Sequence, residues 1–242
     1  MRLLRSFIFA VWLYASMAFV GLVLWPFVLM NEKHVYTALR WWSHATIWGL
    51  RWIIGARVSF EGLEHVPTGG ALIAMKHQSM LDTIVPSLIL EKPTFIYKAE
   101  LGSTPIMGAY LKKNQLAVDR GGHAKALKSL VRGAREAVAK GRQIVIFPEG
   151  TRQQLNAAPD YKPGIAAMYK DLNIPVTPVA LNTGLVWKPK GLMRTPGHVT
   201  FRVLPPIPPG LSREAFMAEL ERVIETESQA MLPPDRRRSV PA

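Results

Sequence analysis

The chain has 242 residues, enough for one domain with a full hydrophobic core and an additional anchor segment. Its formal net charge of +13 fits nucleic acid, an anionic lipid surface or an anionic substrate, but the sequence contains no recognisable nucleic-acid-binding module, which excludes the first. The absence of cysteine excludes a thiol nucleophile, disulfides and cysteine-ligated zinc, and the six scattered histidines do not form a metal-ligand pattern. We therefore expect neither a metal nor a bound organic cofactor.

The first element in chain order is an apolar segment, residues 7–30, that contains no charged residue. As a helix it is long enough to cross a hydrocarbon core of about 30 Å. A cleaved signal peptide is the alternative, because Arg2 and Arg5 precede the run and small residues occur near Ala15. The apolar run continues well beyond those small residues, which favours a retained anchor. Pro26 leaves open a re-entrant or interfacial hairpin in place of a full span.

Tryptophan and arginine are interleaved in the next segment, from Val35 to Arg57. This pairing is typical of a helix in the lipid headgroup layer, although a tryptophan-rich core helix has the same pattern; the residues are Arg40, Trp41, Trp42, Trp48, Arg51, Trp52 and Arg57. Because the segment directly follows the anchor, we favour the interfacial position. Each basic residue beside anionic lipid gains about 1 kcal/mol, so the expected partner is a membrane lipid bilayer.

Short apolar runs further along the chain have the character of strands, several of them bounded by glycine or proline. They are residues 71–75, 94–97, 115–118, 143–147, 176–181 and 199–204. A helical pattern occupies Ala124–Lys140, and Ser212 is placed to cap a C-terminal helix that Pro233 ends. Strands that alternate with helices predict an α/β fold, a layered sheet-and-helix domain preceded by an N-terminal hydrophobic membrane-associating helical segment.

Four motif blocks lie between residues 58 and 210, and three of them lie at the C-terminal ends of strand-like runs. The blocks are His77-Gln78-Ser79-Met80-Leu81-Asp82, Leu116–Arg120, Phe147-Pro148-Glu149-Gly150-Thr151-Arg152 and Ile174–Leu181. In identity and order they resemble the motifs of the lysophosphatidate acyltransferases, also called 1-acylglycerol-3-phosphate O-acyltransferases, of the glycerolipid acyltransferase superfamily. The resemblance covers most of the chain outside the N-terminal segment.

This resemblance implies an enzyme that transfers a fatty acyl group to the sn-2 hydroxyl of lysophosphatidate, giving phosphatidate. The donor would be acyl-CoA or acyl-ACP, in the latter case with acyl carrier protein as a partner. The expected location is the cytoplasmic face of the inner membrane. We divide the chain accordingly into a membrane anchor and interfacial helix (1–57), a catalytic domain (58–210) and a C-terminal helix with a basic tail (211–242).

His77 is the expected general base, because imidazole removes a proton from an alcohol near neutral pH. Residues five apart on one helix differ by about 140° in direction, so Asp82 reaches His77 only if His77 lies in a loop and Asp82 in the next helical turn. There Asp82 would hold one ring nitrogen and leave the other to the substrate. Ser79 to Asp82 also match a capping box, in which the carboxylate accepts a backbone N–H. The family resemblance favours the catalytic role.

A substrate phosphate is the expected ligand of the residues that follow the other strands. Guanidinium groups bind phosphate with two parallel hydrogen bonds, and ligands of α/β sheets usually bind beyond the carboxyl ends of the strands. The expected phosphate-binding residues are Arg120, Gly150, Thr151 and Arg152. Glu149 belongs to the same block without a role that the sequence reveals, and Lys98 is a further anion-binding candidate with a solvated loop as the alternative.

The chain departs from the family pattern at positions beside the proposed site residues. Lys76 precedes the histidine where asparagine is frequent, Asn114 and Ala117 replace a more usual glycine and phenylalanine, and Gln153 follows Arg152 where serine is common. These departures leave the acceptor headgroup open, so an acyltransferase for another lysolipid, such as lyso-ornithine lipid, is an alternative. The alternative of a different class is a non-catalytic basic protein that docks on anionic membranes.

Overall fold

A computed structural model describes residues 1–103, 107–118 and 123–237 of the chain. The helices in these ranges are α1 (Arg2–Met30), α2 (Lys33–Gly49), α3 (Leu81–Ile84), α4 (Met107–Asn114), α5 (His123–Ala139), α6 (Gly164–Leu172) and α7 (Arg213–Ala230). The strands are β1 (Ala56–Glu61), β2 (Ala71–Met75), β3 (Pro93–Lys98), β4 (Leu116–Val118), β5 (Gln143–Ile146), β6 (Val176–Leu181) and β7 (Gly197–Val203). Helices alternate with strands from β2 to β6, which confirms the α/β class.

The strands form one seven-stranded sheet in the order β1-β7-β6-β2-β5-β3-β4. Strands β2 to β6 are mutually parallel, whereas β7 is antiparallel to β6 and parallel to β1. The parallel strands therefore end at one common edge of the sheet. We call it the carboxyl edge; it is marked by Met75, Lys98, Ile146 and Leu181, and β1 begins there.

Residues of the central strand β2 face two apolar layers in alternation. Ile73 packs in a layer with apolar residues of α1 and α3, while Leu72 packs in a layer with apolar residues of α5, α6 and α7. Since both faces of the sheet are covered, every residue of β2 is buried. This explains why the sequence shows a continuous apolar run there and not an alternating one.

Helices α1 and α2 form an antiparallel hairpin. The indole N–H of Trp12 donates to the carbonyl of Ala45 at 2.8 Å, and that of Trp42 donates to the carbonyl of Leu13 at 3.1 Å. Pro26 lies near the C-terminal end of α1 and does not end the helix. Helix α1 is long and apolar enough to cross a membrane.

The hairpin exposes a broad apolar surface, which we call the hairpin face. Its members on α1 include Leu4, Phe7, Ile8, Val11, Tyr14, Phe19, Leu22 and Phe27, and those on α2 and its extension are Trp41, Trp48 and Trp52. Apolar surface of this extent is uncommon on a protein that is surrounded by water alone. The hairpin face has the extent and composition expected of a surface that contacts lipid.

The helix that was predicted to reach Arg57 ends earlier. Helix α2 continues as a π-helical turn, Leu50–Ile54, and Gly55 then adopts a φ of +83°, a left-handed conformation that favours glycine and closes the helix. Arg57 consequently lies in β1, an edge strand that pairs with β7 and is absent from the predicted strands. The predicted helix over 124–140 and the Ser212 cap are confirmed, since Ser212 Oγ accepts from the backbone N–H of Ala215 at 3.1 Å.

Candidate active site

His77 lies in the loop between β2 and α3, at the carboxyl edge of the sheet. Its carbonyl accepts from the backbone N–H of Gln153 at 2.8 Å, so the loop is joined directly to the segment that follows β5. The imidazole ring stacks on Phe147, with centroids 4.0 Å apart. Two of the predicted motif blocks therefore meet at this residue.

The predicted histidine–aspartate pair is present in the structure. Nδ1 of His77 lies 3.0 Å from Oδ2 of Asp82, which occupies the first turn of α3. The carboxylate is completely buried, whereas 12% of the histidine side chain is exposed. A proton held on Nδ1 by the carboxylate leaves Nε2 with a lone pair, which is the form of imidazole that accepts a proton.

Asp82 also holds the loop that carries His77. Oδ2 accepts from the backbone N–H groups of Gln78 and Ser79 at 2.6 and 2.7 Å. Oδ1 accepts from the hydroxyls of Ser79 and Thr183 at 3.0 and 2.6 Å. The capping contact and the imidazole contact, which the sequence presented as alternatives, are made by the same carboxylate.

The block after β5 forms an exposed turn next to His77. Gly150 has a φ of +68°, and its N–H donates to the carbonyl of Phe147 at 3.0 Å. Thr151 and Arg152 follow on the surface. Within the described ranges, Arg152 makes no ion pair or hydrogen bond with another residue. Its guanidinium is therefore available to an anion that reaches this edge.

A second arginine, which the sequence analysis did not identify, lies near Arg152. The guanidinium carbon of Arg194 lies 4.0 Å from the centroid of the Trp187 ring, and its Nη1 donates to the carbonyls of Gly191 and Met193. The pKa of Arg194 is lowered to about 10, mainly by burial; Tyr14 opposes this shift, and the positive charge of Arg152 adds to it. Two neighbouring cations that repel each other favour the approach of an anion.

Glu149 does not face the exposed turn. Its side chain is buried, with Oε1 3.0 Å from Nζ of Lys76 and Oε2 2.8 Å from the backbone N of His77. Burial raises the pKa of Glu149, while the Lys76 ammonium and the His77 N–H act in the opposite direction. Glu149, whose role the sequence analysis left open, thus contacts the backbone of the histidine loop.

Of the remaining predicted anion-binding residues, Lys98 is located by its backbone pairing and Arg120 is not described. Lys98 is the last residue of β3, at the carboxyl edge, where it pairs with Val118. Arg120 lies outside the described residues. Sequence reasoning also missed Thr183, although its position directly after the apolar strand β6 is the same signal that identified the other blocks.

A largely parallel sheet that presents a carboxylate-held histidine beside an arginine turn, with an apolar helix hairpin packed on the sheet, has the features of an acyl-transferring enzyme that works on lipids. The family model described as Acyltransferase matches residues 57–182, and the chain belongs to this acyltransferase family. It is an O-acyltransferase. The matched segment contains all the site residues described above except Thr183 and Arg194.

Similar proteins support this membership. A 1-acyl-sn-glycerol-3-phosphate acyltransferase of Pseudomonas aeruginosa is 31% identical over 81% of this chain and 78% of that protein. Lysophosphatidylcholine acyltransferase 1 of Mus musculus is 28% identical over 68% of this chain, which spans about a third (33%) of that longer protein. The crystal structure of the 1-acyl-sn-glycerophosphate acyltransferase PlsC from Thermotoga maritima has a TM-score of 0.78 at 20% identity, covering 96% of this chain and 99% of that one. The last comparison shows a shared fold.

Proposed function

We propose that the protein transfers a fatty acyl group from acyl-CoA or acyl-ACP to the sn-2 hydroxyl of lysophosphatidate, with phosphatidate as the product. The observation that carries the proposal is the 3.0 Å contact between His77 Nδ1 and buried Asp82, next to the exposed Arg152 turn. The similarity to 1-acyl-sn-glycerol-3-phosphate acyltransferases supports the choice of acceptor. The acyl donor acts as a co-substrate, and the proposal requires no bound cofactor.

In this proposal Nε2 of His77 accepts the proton of the sn-2 hydroxyl while the hydroxyl oxygen attacks the thioester carbonyl. A C–O bond forms, the C–S bond breaks, and the thiolate that leaves takes the proton from the imidazolium. Asp82 keeps Nδ1 protonated and so stabilises the imidazolium that forms between these steps. General-base assistance of this kind contributes about 10²- to 10⁴-fold to the rate.

We assign the acceptor phosphate to the turn that carries Gly150, Thr151 and Arg152. Two observations support this assignment: the side chains of Thr151 and Arg152 are exposed, and in the described ranges Arg152 has no protein partner. Arg120 and Lys98 are proposed as further phosphate-binding groups, because Lys98 is the last residue of β3 and Arg120 comes shortly after β4 in the sequence, and both strands end at the carboxyl edge. Arg194 adds positive potential near the turn.

The hairpin face would hold the enzyme on the membrane that contains its lipid acceptor. We place the catalytic domain on the cytoplasmic face of the inner membrane, because anionic lipids of the cytoplasmic leaflet attract basic protein surfaces and this chain has a net charge of +13. Acyl carrier protein is the proposed protein partner when the donor is acyl-ACP.

A transfer assay with purified protein tests the proposal. Labelled acyl-CoA and acyl-ACP are offered separately with lysophosphatidate, lysophosphatidylcholine and lyso-ornithine lipid, and the His77→Ala variant is the control. We expect labelled phosphatidate as the main product with at least one donor, formed at least ~10²-fold more slowly by His77→Ala. Preferential acylation of another acceptor would reject the lysophosphatidate assignment. No transfer to any acceptor would favour a non-catalytic membrane-docking protein.

A lysolipid with a different headgroup is the second candidate acceptor. The similarity to a lysophosphatidylcholine acyltransferase and the departures at Lys76 and Gln153, on either side of the histidine and the arginine turn, support it. In this case the same base would act, and the anionic group bound by Arg152 would be the phosphate or carboxylate of that headgroup.

A further inference from the structure

Lys76, the residue before the proposed base, is buried between two carboxylates. Its Nζ lies 3.0 Å from Oε1 of Glu149 and 2.5 Å from Oε1 of Glu225, and 3% of its side chain is exposed. The hydroxyl of Tyr161 donates to the same oxygen of Glu225 at 3.2 Å. We call Lys76, Glu149 and Glu225 the buried ion triad.

Burial of three charged side chains costs free energy that apolar residues of similar volume would not cost. The triad therefore contributes less to stability than its short distances suggest, and a role in specifying geometry is the better account of its presence. Its location supports that account. It lies directly behind the loop that carries His77, in a part of the molecule where the surrounding strand residues are apolar.

The triad is connected to His77 by a direct contact. Oε1 of Glu149 accepts from Lys76, while Oε2 of the same carboxylate accepts from the backbone N–H of His77 at 2.8 Å. Glu225 belongs to α7, which lies outside the segment 57–182 matched by the acyltransferase family. A continuous series of contacts thus runs from the C-terminal helix to the backbone of the proposed base.

We propose that Lys76, Glu149 and Glu225 are positioning residues through which α7 fixes the backbone of His77 and thereby the direction of Nε2. The proposal rests on the proposed function in one respect, the role of His77 as base. Without the ammonium, Glu149 would be a buried carboxylate with no cation, and the burial that already raises its pKa would favour its neutral form. A neutral, reoriented Glu149 no longer holds the His77 N–H, and displacements of about 1 Å at a reacting group reduce rates by about 10²-fold.

The test compares turnover with thermal stability in three variants. Lys76→Met removes the ammonium at similar length, Glu225→Gln removes one charge at constant shape, and the double variant removes both charges. Glu219→Gln is the matched control, because Glu219 forms an exposed ion pair with Arg222 on the same helix. The kcat, the KM for the acceptor and the Tm are measured well below the melting range.

We expect Lys76→Met to lower kcat at least tenfold with KM within twofold, and Glu219→Gln to change neither. The double variant should regain Tm relative to Lys76→Met, because a Glu225 charge that has lost the Lys76 ammonium is no longer held in a largely buried position, while kcat stays low because Glu149 is still unsupported. A merely structural triad predicts that kcat recovers in parallel with Tm, and that result would overturn the proposal. If Lys76→Met does not fold, Glu225→Gln alone decides, with a loss of about threefold in kcat expected and no loss contradicting the proposal.

A measurement that does not depend on activity separates this proposal from the proposed function. Diethyl pyrocarbonate modifies accessible imidazole nitrogens, and mass spectrometry gives the rate for each histidine. We expect Lys76→Met to raise the rate at His77 at least threefold and to leave the rate at half-exposed His65 unchanged. An unchanged rate at His77 would reject the positioning role even if the protein transfers acyl groups. A raised rate in a protein without transferase activity would reject the proposed function alone.

Discussion

At the scale of single residues, the Asp82 side chain combines two tasks that are usually separate. A carboxylate has two oxygens with about four lone-pair positions, and this one accepts from five donors. Two of these donors are the backbone N–H groups of Gln78 and Ser79, which shape the start of α3. The third on the same oxygen is the imidazole of His77. Loss of the carboxylate therefore affects both the loop and the base.

The first prediction concerns the coupling between His77 and Asp82. We expect His77→Ala to lower kcat at least ~10²-fold, within the usual contribution of a general base. Asp82→Asn should lower kcat severely and also lower the free energy of unfolding by about 1 kcal/mol or more, because its amide nitrogen is a donor that faces other donors. Measured kcat and Tm for the single variants and the double variant check this.

The double variant decides whether the two residues act as a pair. Once the base is absent, there is little left for the carboxylate to orient, so the double variant should be little slower than His77→Ala alone. Rate losses that multiply fully would reject the pair. An active Asp82→Asn with reduced stability would leave Asp82 with its capping role only.

The second prediction concerns the guanidinium of Arg152. Arg152→Ala should lower kcat/KM for a phosphate-bearing acceptor far more than for the acyl donor, and Arg152→Lys should restore little, because an ammonium lacks the two-pronged donor geometry. The same outcome is expected of Arg120. Arg213→Ala, at an exposed position on α7, is the control and should have no effect. Acceptor kinetics that are unchanged in both alanine variants would contradict the phosphate assignment.

At the scale of elements, the α1–α2 hairpin is expected to bind the membrane through apolar contact. At 1 M salt the screening length is about 3 Å, so interactions between exposed charges that are further apart are weak. Salt does not weaken the burial of apolar side chains. High salt should therefore leave the full-length protein in the membrane fraction, and detergent should extract it, as followed by sedimentation. Quantitative release by salt alone would show that the basic surface, and not the hairpin face, holds the protein.

The N-cap of α7 provides a prediction that concerns stability and not catalysis. Ser212 Oγ accepts from the N–H of Ala215, one of the helix N–H groups that lack a partner within the helix. Ser212→Ala should lower the free energy of unfolding by about 1 kcal/mol, and Ser212→Asn should restore most of it, because both side chains can cap. Chemical denaturation measures the difference, and equal stability of all three proteins would contradict the capping role.

Local sequence patterns predicted those strands that are covered on both faces. Strands β2 and β6 are buried throughout, so their continuous apolar runs are visible without any knowledge of neighbours. Strand β1 was not predicted, because it is an edge strand with five half-buried or exposed positions and follows a segment rich in tryptophan and arginine. The placement of β2 between β5 and β6 was not predictable either, since pairing depends on residues far apart in the sequence.

At the scale of the whole molecule, the same distinction applies to the candidate site. His77 and Asp82 are five residues apart, and helix geometry alone limits how they can meet. Lys76 and Glu225 are separated by 149 residues, and Asp82 and Thr183 by 101, so no local pattern relates them. The sequence therefore indicated the residues to which we assign the reaction, whereas the contacts that hold them in place required the fold.

Strand β1 runs opposite to strands β2 to β6, and this orientation has a consequence for kinetics. Because β1 begins at the carboxyl edge, the hairpin enters the sheet on the same edge as His77, and Ser43 of α2 donates to the carbonyl of Ile84 in α3 at 2.6 Å. A lipid acceptor would then reach the base by lateral diffusion within a leaflet, without passing through water. The rate should follow the mole fraction of acceptor in the surface and not its bulk concentration, so that dilution with inert phospholipid at constant bulk acceptor slows the reaction.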